Sequence, residues 1–371
     1  MPQRFRPSGR RSFWGDDYLE LAVPQEHFLR HLRDLLDWEA LTEDLADCYK
    51  GGAEYGRVPY HPAVPFKMLL LAYLYNLSER QVEQFANENL PARYFLGLGA
   101  HQSAPDHSTL SVFRERIIKK TGMRAFEERL GAIVRTAQQA GIAFGHIQVV
   151  DATHSLADVD VGGDEGRRQG GAAPRDEDAA WGSKGKQRIK TVDGRSVLTN
   201  KFFYGYKTHL SVNAESGLIT AVVATPGNHT DGKQLAKLVA KDEAAGVRAR
   251  VYAGDRGYDD GENHELLRVK GKQSALCLND YRTQKKDRNK GLWLQMKASP
   301  AYWQGQRQRY KVEQKNAEAK RYHGLGRCRY VGLAKYGLQA FLTAMALNLK
   351  RMVWLLCGVR LRGAPGVAAR A

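Results

Sequence analysis

Apolar and polar positions recur with two different periods along this chain, and the change falls near residue 141. Upstream the spacing is helical. In residues 24–38, Phe28, Leu32, Leu35 and Leu36 fall on one side of a 3.6-residue turn, which predicts a helix there. Residues 62–75 are apolar almost throughout and open with Pro62, a residue suited to a first helical turn. Ser78 with Gln81 three positions on has the form of a capping box, so a further helix is expected to about Glu88. Asp106 or Ser108 can cap the next helix, which carries Leu110, Phe113, Ile117 and Ile118. Residues 124–140 read as one more.

Downstream, strands enter. Residues 146–151 are rich in β-branched side chains and end on Asp151. Residues 162–185 are polar and glycine-rich and read as a loop excursion. Two strands are expected at 202–212 and 218–225, joined by a short connection at 213–217 as a hairpin. A helix follows at 231–243, then a strand at 250–255 that also ends on an acid, Asp255. A helix at 259–270, a short strand at 274–278, a basic loop at 282–291, a helix at 308–322 and a long apolar core helix at 336–356 complete the pattern. The fold class is α/β, a mixed sheet flanked by helices and preceded by an all-helical N-terminal domain. The expected boundaries are 1–140 for the helical domain, 141–357 for the α/β domain with its loop at 162–185, and 358–371 for a disordered tail.

Charge narrows the partner. Lys and Arg total 57 against 40 acids, a formal net charge of +17. An excess of that size on a chain with a globular composition points to a polyanion, most often nucleic acid. Cys48, Cys277, Cys328 and Cys357 are scattered, which excludes a paired-thiolate zinc site and a disulfide framework and suits a reducing, cytoplasmic compartment. Neither a leader sequence nor a membrane span is expected.

Three carboxylates then stand out. Asp151 and Asp255 both close apolar strands, and strand ends in α/β sheets are where active sites gather. Taken singly, each also fits a turn or cap. Glu313 lies on a late helix that also carries Glu318, and spacing alone does not choose between them. Three carboxylates offer the hard oxygen ligands of Mg²⁺ or Mn²⁺, and two such ions serve in-line attack on a phosphodiester. Around Glu313, residues 307–329 hold eight basic residues against two acids. That balance suits DNA phosphate meeting metal. Asp259 and Asp260 fit helix caps, Asn228 and Asp231 a turn or the edge of a site, and His154 a structural role or a contact to DNA or metal.

These residues match a known pattern. The stretches from Tyr60 to Leu70 and from Asp106 to Arg114 resemble the helical N-terminal domain of bacterial insertion-sequence DDE transposases. Val150-Asp151-Ala-Thr-His154 resembles their first catalytic strand, Gly254-Asp255-Arg256-Gly257-Tyr258 the segment of their second acid, and Arg309-Tyr-Lys-Val-Glu313 with Lys320 that of their glutamate. Arg309, four before Glu313, and Lys320, seven after it, are the most specific match. Gln306 stands where many members have tyrosine. The resemblance covers roughly residues 15–355. It implies an RNase H-like core in which Asp151, Asp255 and Glu313 bind two Mg²⁺ (or Mn²⁺) ions and catalyse DNA cleavage at element ends and strand transfer. It also implies DNA contacts at Lys207, Arg256, Arg309, Lys320 and Arg327. The partners would be double-stranded DNA, both terminal inverted repeats and target, with a homodimer acting on it in the nucleoid. Residues 77–96 would form a helix-turn-helix in which Arg80, Gln81 and Arg93 reach DNA. Two other readings remain at this point: a metal-dependent nuclease without strand transfer, and a catalytically silent DNA-binding derivative.

Overall fold

The computed structural model describes residues 5–6, 16–49, 58–99, 101–190, 193–279 and 290–361. The basic loop expected at 282–291 lies outside these residues except for its last two, which begin a helix. The expected tail lies outside them from 362 onward. The chain divides into two compact units, residues 1–142 with 342–371, and residues 143–341.

The first unit is helical: α1 (Asp16–Ala22), α2 (Phe28–Asp34), α3 (Trp38–Thr42), α4 (Ala63–Leu74), α5 (Glu79–Glu88), α6 (Leu90–Leu96), α7 (His107–Thr121) and α8 (Arg124–Gln139). The helix expected at 24–38 is shorter than that, and a second begins at Trp38. α2 stops at Asp34, and the Asp37 carboxylate caps α3 by accepting the Ala40 N–H at 3.0 Å. Every residue of α4 is buried, as an all-round apolar helix requires. Its Lys67 is buried too, donates to the Phe95 carbonyl at 2.7 Å and is pushed down to about 7 by burial. The capping box at α5 forms as expected: Ser78 Oγ accepts the Gln81 N–H, and Gln81 Oε1 accepts the Ser78 N–H. Of the two candidates for α7, Asp106 is the cap. Arg93, expected to reach DNA, is instead buried and donates to the carbonyls of Gly99 and Gln102.

The second unit is built on one sheet. Its elements are β1 (Ile147–Leu156), α9 (Val161–Gln169), β2 (Ala180–Lys190), β3 (Ser196–Asn213), β4 (Ile219–Pro226), α10 (Leu235–Ala244), β5 (Val251–Gly254), α11 (Gly261–Val269), β6 (Gln273–Leu276), α12 (Lys290–Ala298), α13 (Pro300–Gln308) and α14 (Tyr310–His323); α15 (Leu333–Cys357) starts in this unit and is counted from residue 342 onward with the first. β3 runs antiparallel to β4 on one side and to β1 on the other, while β5 and β6 continue parallel to β1. α10 packs on β3 and β4, α13 on β5 and β6, and α14 on β1 and β3. A mixed sheet flanked by helices after an all-helical region is an RNase H-like fold, as the resemblance implies.

The hairpin of β3 and β4 is where it was expected, with Asn213 accepting the N–H groups of Glu215 and Ser216 in the turn. The reading of 162–185 as a loop is corrected. It holds α9 and the start of β2, and two buried acids organise the chain between them. Asp164 accepts the Arg175 N–H at 2.9 Å, and Asp176 accepts the Ala179 N–H and the Tyr206 hydroxyl. β3 pairs with β2 up to Gly205 and with β4 from Tyr206 on. Gly205 has φ +152, and a Cβ there would meet the Ser155 carbonyl and the Ala157 nitrogen, so this crossing needs glycine. α15 is long and apolar enough to cross a membrane, and 67% of its most apolar stretch is buried in the protein, as expected of a core helix.

Candidate active site

Strand register positions the two aspartates. In the parallel pair, Val149 of β1 stands level with Ala253 of β5. Two residues on in each chain segment come Asp151 and Asp255, so the period-two alternation of strands aims both at one face. Asp151 does not close its strand, as the sequence suggested. β1 continues to Leu156 because β3 pairs with it that far, whereas β5 stops at Gly254. Asp151 therefore sits beside the end of its parallel neighbour. Asp255 caps a short turn over Arg256–Tyr258, its Oδ1 accepting the Gly257 N–H at 2.8 Å.

Asp151 is held by a residue the sequence reading did not single out. Asn316 of α14 donates from Nδ2 to Asp151 Oδ2 at 2.9 Å. Its position one helical turn after Glu313 was the only available clue. Burial pushes the Asp151 carboxyl up to about 6, and the negative charges of Asp255 and Glu313 push the same way. Asp255 is raised as well, by burial and by the charge of Asp231, against the opposing pull of Arg309 and Lys207.

Glu313 lies on the same helix as Asn316 but is exposed, and Arg309 Nη2 stands 3.8 Å from its Oε1. Its rival Glu318 is bound to Lys315 at 3.0 Å. Among the described residues no three acids, histidines or cysteines converge tightly enough to cage an ion as they stand. The carboxylates nevertheless share one electrostatic neighbourhood, since the charges of both Asp255 and Glu313 act on Asp151.

The basic residues divide. Lys207 is held in place: its ammonium reaches Asp231 Oδ1 at 2.8 Å and the His229 carbonyl at 2.9 Å. Of the two readings for Asp231, turn or site edge, its charge acting on Asp255 favours the second. Gln306, at the position where many members have tyrosine, donates to the backbone carbonyls of Ala275 and Gly254. Arg256 is exposed beside Asp255. Lys320 is half-buried, stands 3.4 Å from His154 Nδ1 and is pushed down to about 8 by burial and the nearby Lys184. The His154 ring leans on Phe203 and is pushed down to about 4 by burial, with Lys320, Lys184, Lys201 and Lys207 adding to it. It is neutral at pH 7, so Nδ1 accepts from the lysine. Arg327 is largely exposed and pairs with Asp158 at 3.4 Å.

Comparison with known proteins adds to this geometry. Residues 17–116 match the model of a transposase domain (DUF772), and residues 147–349 match that of the transposase DDE domain. Among solved structures, a Mos1 transposase paired-end complex with left transposon end is 11% identical over 76% of this chain and 83% of that one. Its TM-score of 0.19 is too low to carry an argument. The DDE match spans more than half of the chain and includes Asp151, Asp255 and Glu313, so this protein belongs to the transposase DDE domain family.

Proposed function

We propose that the chain is the transposase of an insertion sequence, with Asp151, Asp255 and Glu313 as its catalytic acids. The observation that carries this reading is the state of Asp151. Its carboxyl is raised by burial and by two neighbouring acids, and its hydrogen bonds come from neutral donors, the Asn316 amide and the Ala152 N–H. A divalent cation would relieve that repulsion, and the donor set, carboxylate oxygens throughout, suits Mg²⁺ or Mn²⁺ in kind. Asp151, Asp255 and Glu313 would hold two ions, which when bound supply Lewis-acid stabilisation of the oxygens that enter and leave phosphorus.

The reaction is two phosphoryl transfers. Water attacks the phosphodiester at an element end, breaking the bond to the 3′ oxygen and leaving a 3′-hydroxyl. That hydroxyl then attacks a target phosphodiester and displaces its 3′ oxygen. Asn316 would orient Asp151 through its amide, and the Gly257 N–H would fix Asp255. Lys320, Arg309, Arg256 and Arg327 would bind DNA phosphates, while Lys207 would act through Asp231, the acid it holds. The helical unit would recognise the terminal inverted repeats, and joining two ends would need a homodimer on the DNA. The protein would work where that DNA lies, in the nucleoid.

Incubating the purified chain with Mg²⁺, a plasmid target and labelled duplex from the DNA that flanks its gene tests this. Nicks at the ends followed by joined product are expected. Nicks without joined product would assign a nuclease, and DNA binding with neither would assign a silent derivative.

A further inference from the structure

β2 and the first half of β3 form a two-stranded ribbon whose side chains are exposed on both faces. Residues 180–202 carry Lys184, Lys186, Arg188, Lys190, Arg195 and Lys201 against a single acid, Asp193. Register sorts these charges. Lys186 pairs with Asn200, Arg188 with Leu198 and Lys190 with Ser196, while Gln187 pairs with Thr199 and Ile189 with Val197. Directly opposed residues of an antiparallel pair share a face. One face therefore presents three cations with no acid among their cross-strand partners, and the other presents Ile189, Val197, Gln187 and Thr199. Among the described residues none of the three cations forms an ion pair.

A solvated ribbon with scattered charges would not sort this way, and an ordinary exposed strand pairs its cations with acids across the ladder. The spacing also fits a polyanion. Same-face residues recur every ~6.7 Å along a strand. The DNA backbone winds around its axis, so neighbouring phosphates of one strand lie well beyond the ~3.4 Å axial rise, at a separation comparable to that of the cations. The ribbon is joined to the candidate active site at its foot. There β2 bulges between Ser183 and Lys186, with Gly185 at φ +85 supplying the left-handed residue such a bulge uses. Next to that bulge, Lys184 and Lys201 lie close enough to act on His154, beside Lys320.

We infer that the Lys186, Arg188 and Lys190 face of this ribbon is a phosphate-contacting surface that holds duplex DNA leading away from the carboxylates. The inference rests on the reading that DNA is the substrate. A single strand length of duplex bound at Asp151 and Asp255 would thus be gripped at two places, at the acids and along the ribbon.

The test uses the full chain and a random-sequence duplex of about forty base pairs, with affinity measured from ~50 to ~200 mM salt. Replacing all three cations (Lys186→Gln, Arg188→Gln, Lys190→Gln) is expected to lower the slope of log affinity against log salt by about 2.7 and to weaken binding on the order of a hundredfold near 0.1 M salt. Arg188→Gln alone should lower the slope by about 0.9. The control Ile189→Ser with Val197→Ser, on the other face, should leave the slope unchanged. A triple variant that keeps the wild-type slope overturns the inference while leaving DNA as substrate. A change in sedimenting mass with no change in slope also overturns it and assigns the face to a second copy of the chain. Failure of the wild-type chain to bind any duplex removes the underlying reading as well.

Discussion

Two aspartates in the second unit are pushed up to about 6 by burial, in opposite surroundings. Asp151 lies where β5 ends, and two more acids, Asp255 and Glu313, add to its rise, with the Lys320 ammonium within electrostatic reach. Asp242 lies on α10, fully buried, and accepts the Ser211 hydroxyl at 2.7 Å and the Tyr252 hydroxyl at 3.0 Å, with the Lys272 charge nearby. The shift is alike and the surroundings are not. A raised carboxyl surrounded by donors is a structural tie between helix and sheet. A raised carboxyl facing like charge suits the cation site proposed above. Perturbation alone does not mark function; the sign of the neighbours does.

Substitutions can break that contrast. The largest effect is expected at the three acids: Asp151→Ala, Asp255→Ala or Glu313→Gln should each lower cleavage by ~10³-fold or more, equivalent to about 4 kcal/mol of barrier. Glu313 is the sharpest case, because its side chain is exposed and its loss should change unfolding free energy by less than about 0.5 kcal/mol. Cleavage that survives Glu313→Gln would transfer the role to Glu318. Asp242→Ala should behave in reverse. It strands two buried hydroxyls and should cost about 1–3 kcal/mol in a urea titration, with cleavage per folded molecule unchanged. A large loss of cleavage in a fully folded Asp242 variant would erase the distinction drawn here.

Smaller effects sharpen it. Asn316→Ala removes the amide that orients Asp151 and should slow cleavage roughly tenfold without weakening DNA binding. Weakened DNA binding with an unchanged rate would make Asn316 a DNA contact instead. The last effect is on pH. Asp242 takes up its proton near pH 6 when folded, against an ordinary aspartate value of 3.8, so between those values the folded chain holds more protons than the unfolded one. Its stabilising effect is complete below 3.8 and is lost as pH rises toward 6, by at most about 1.4 kcal/mol per pH unit. Asp242→Asn should flatten that part of the stability profile, leaving the parallel contribution of Asp151. A profile as steep as the wild type's would mean that Asp242 is already charged throughout.

Much of the fold was readable along the chain. The Ser78 capping box, the Asp106 cap, the hairpin turn at Asn213 and the apolar course of α15 each depend on residues a few positions apart, and each formed as the pattern implied. The aspartates were readable as acids at the ends of apolar runs, and Glu313 only through its resemblance to a family pattern. Most of what escaped depends on distant partners, with one local cap as the exception. The break between α2 and α3 follows from a cap at Asp37 that competes with a continuous apolar stripe. The helix and strand within 161–190 depend on Asp164 and Asp176, buried by contacts such as that with Tyr206. Arg93 looked like a DNA contact until its guanidinium was found on buried carbonyls.

Short-range chemistry thus wrote itself into the order of residues: periodicity, caps, turns, and an excess of positive charge that pointed to DNA. Register, burial and the company each charge keeps were settled by folding. Those are the quantities that distinguish Asp151 from Asp242, bind Lys207 to Asp231, and gather Lys186, Arg188 and Lys190 on one face of a ribbon. Electrostatic energy depends on separation and dielectric, and neither exists for a pair of residues until the chain between them has folded.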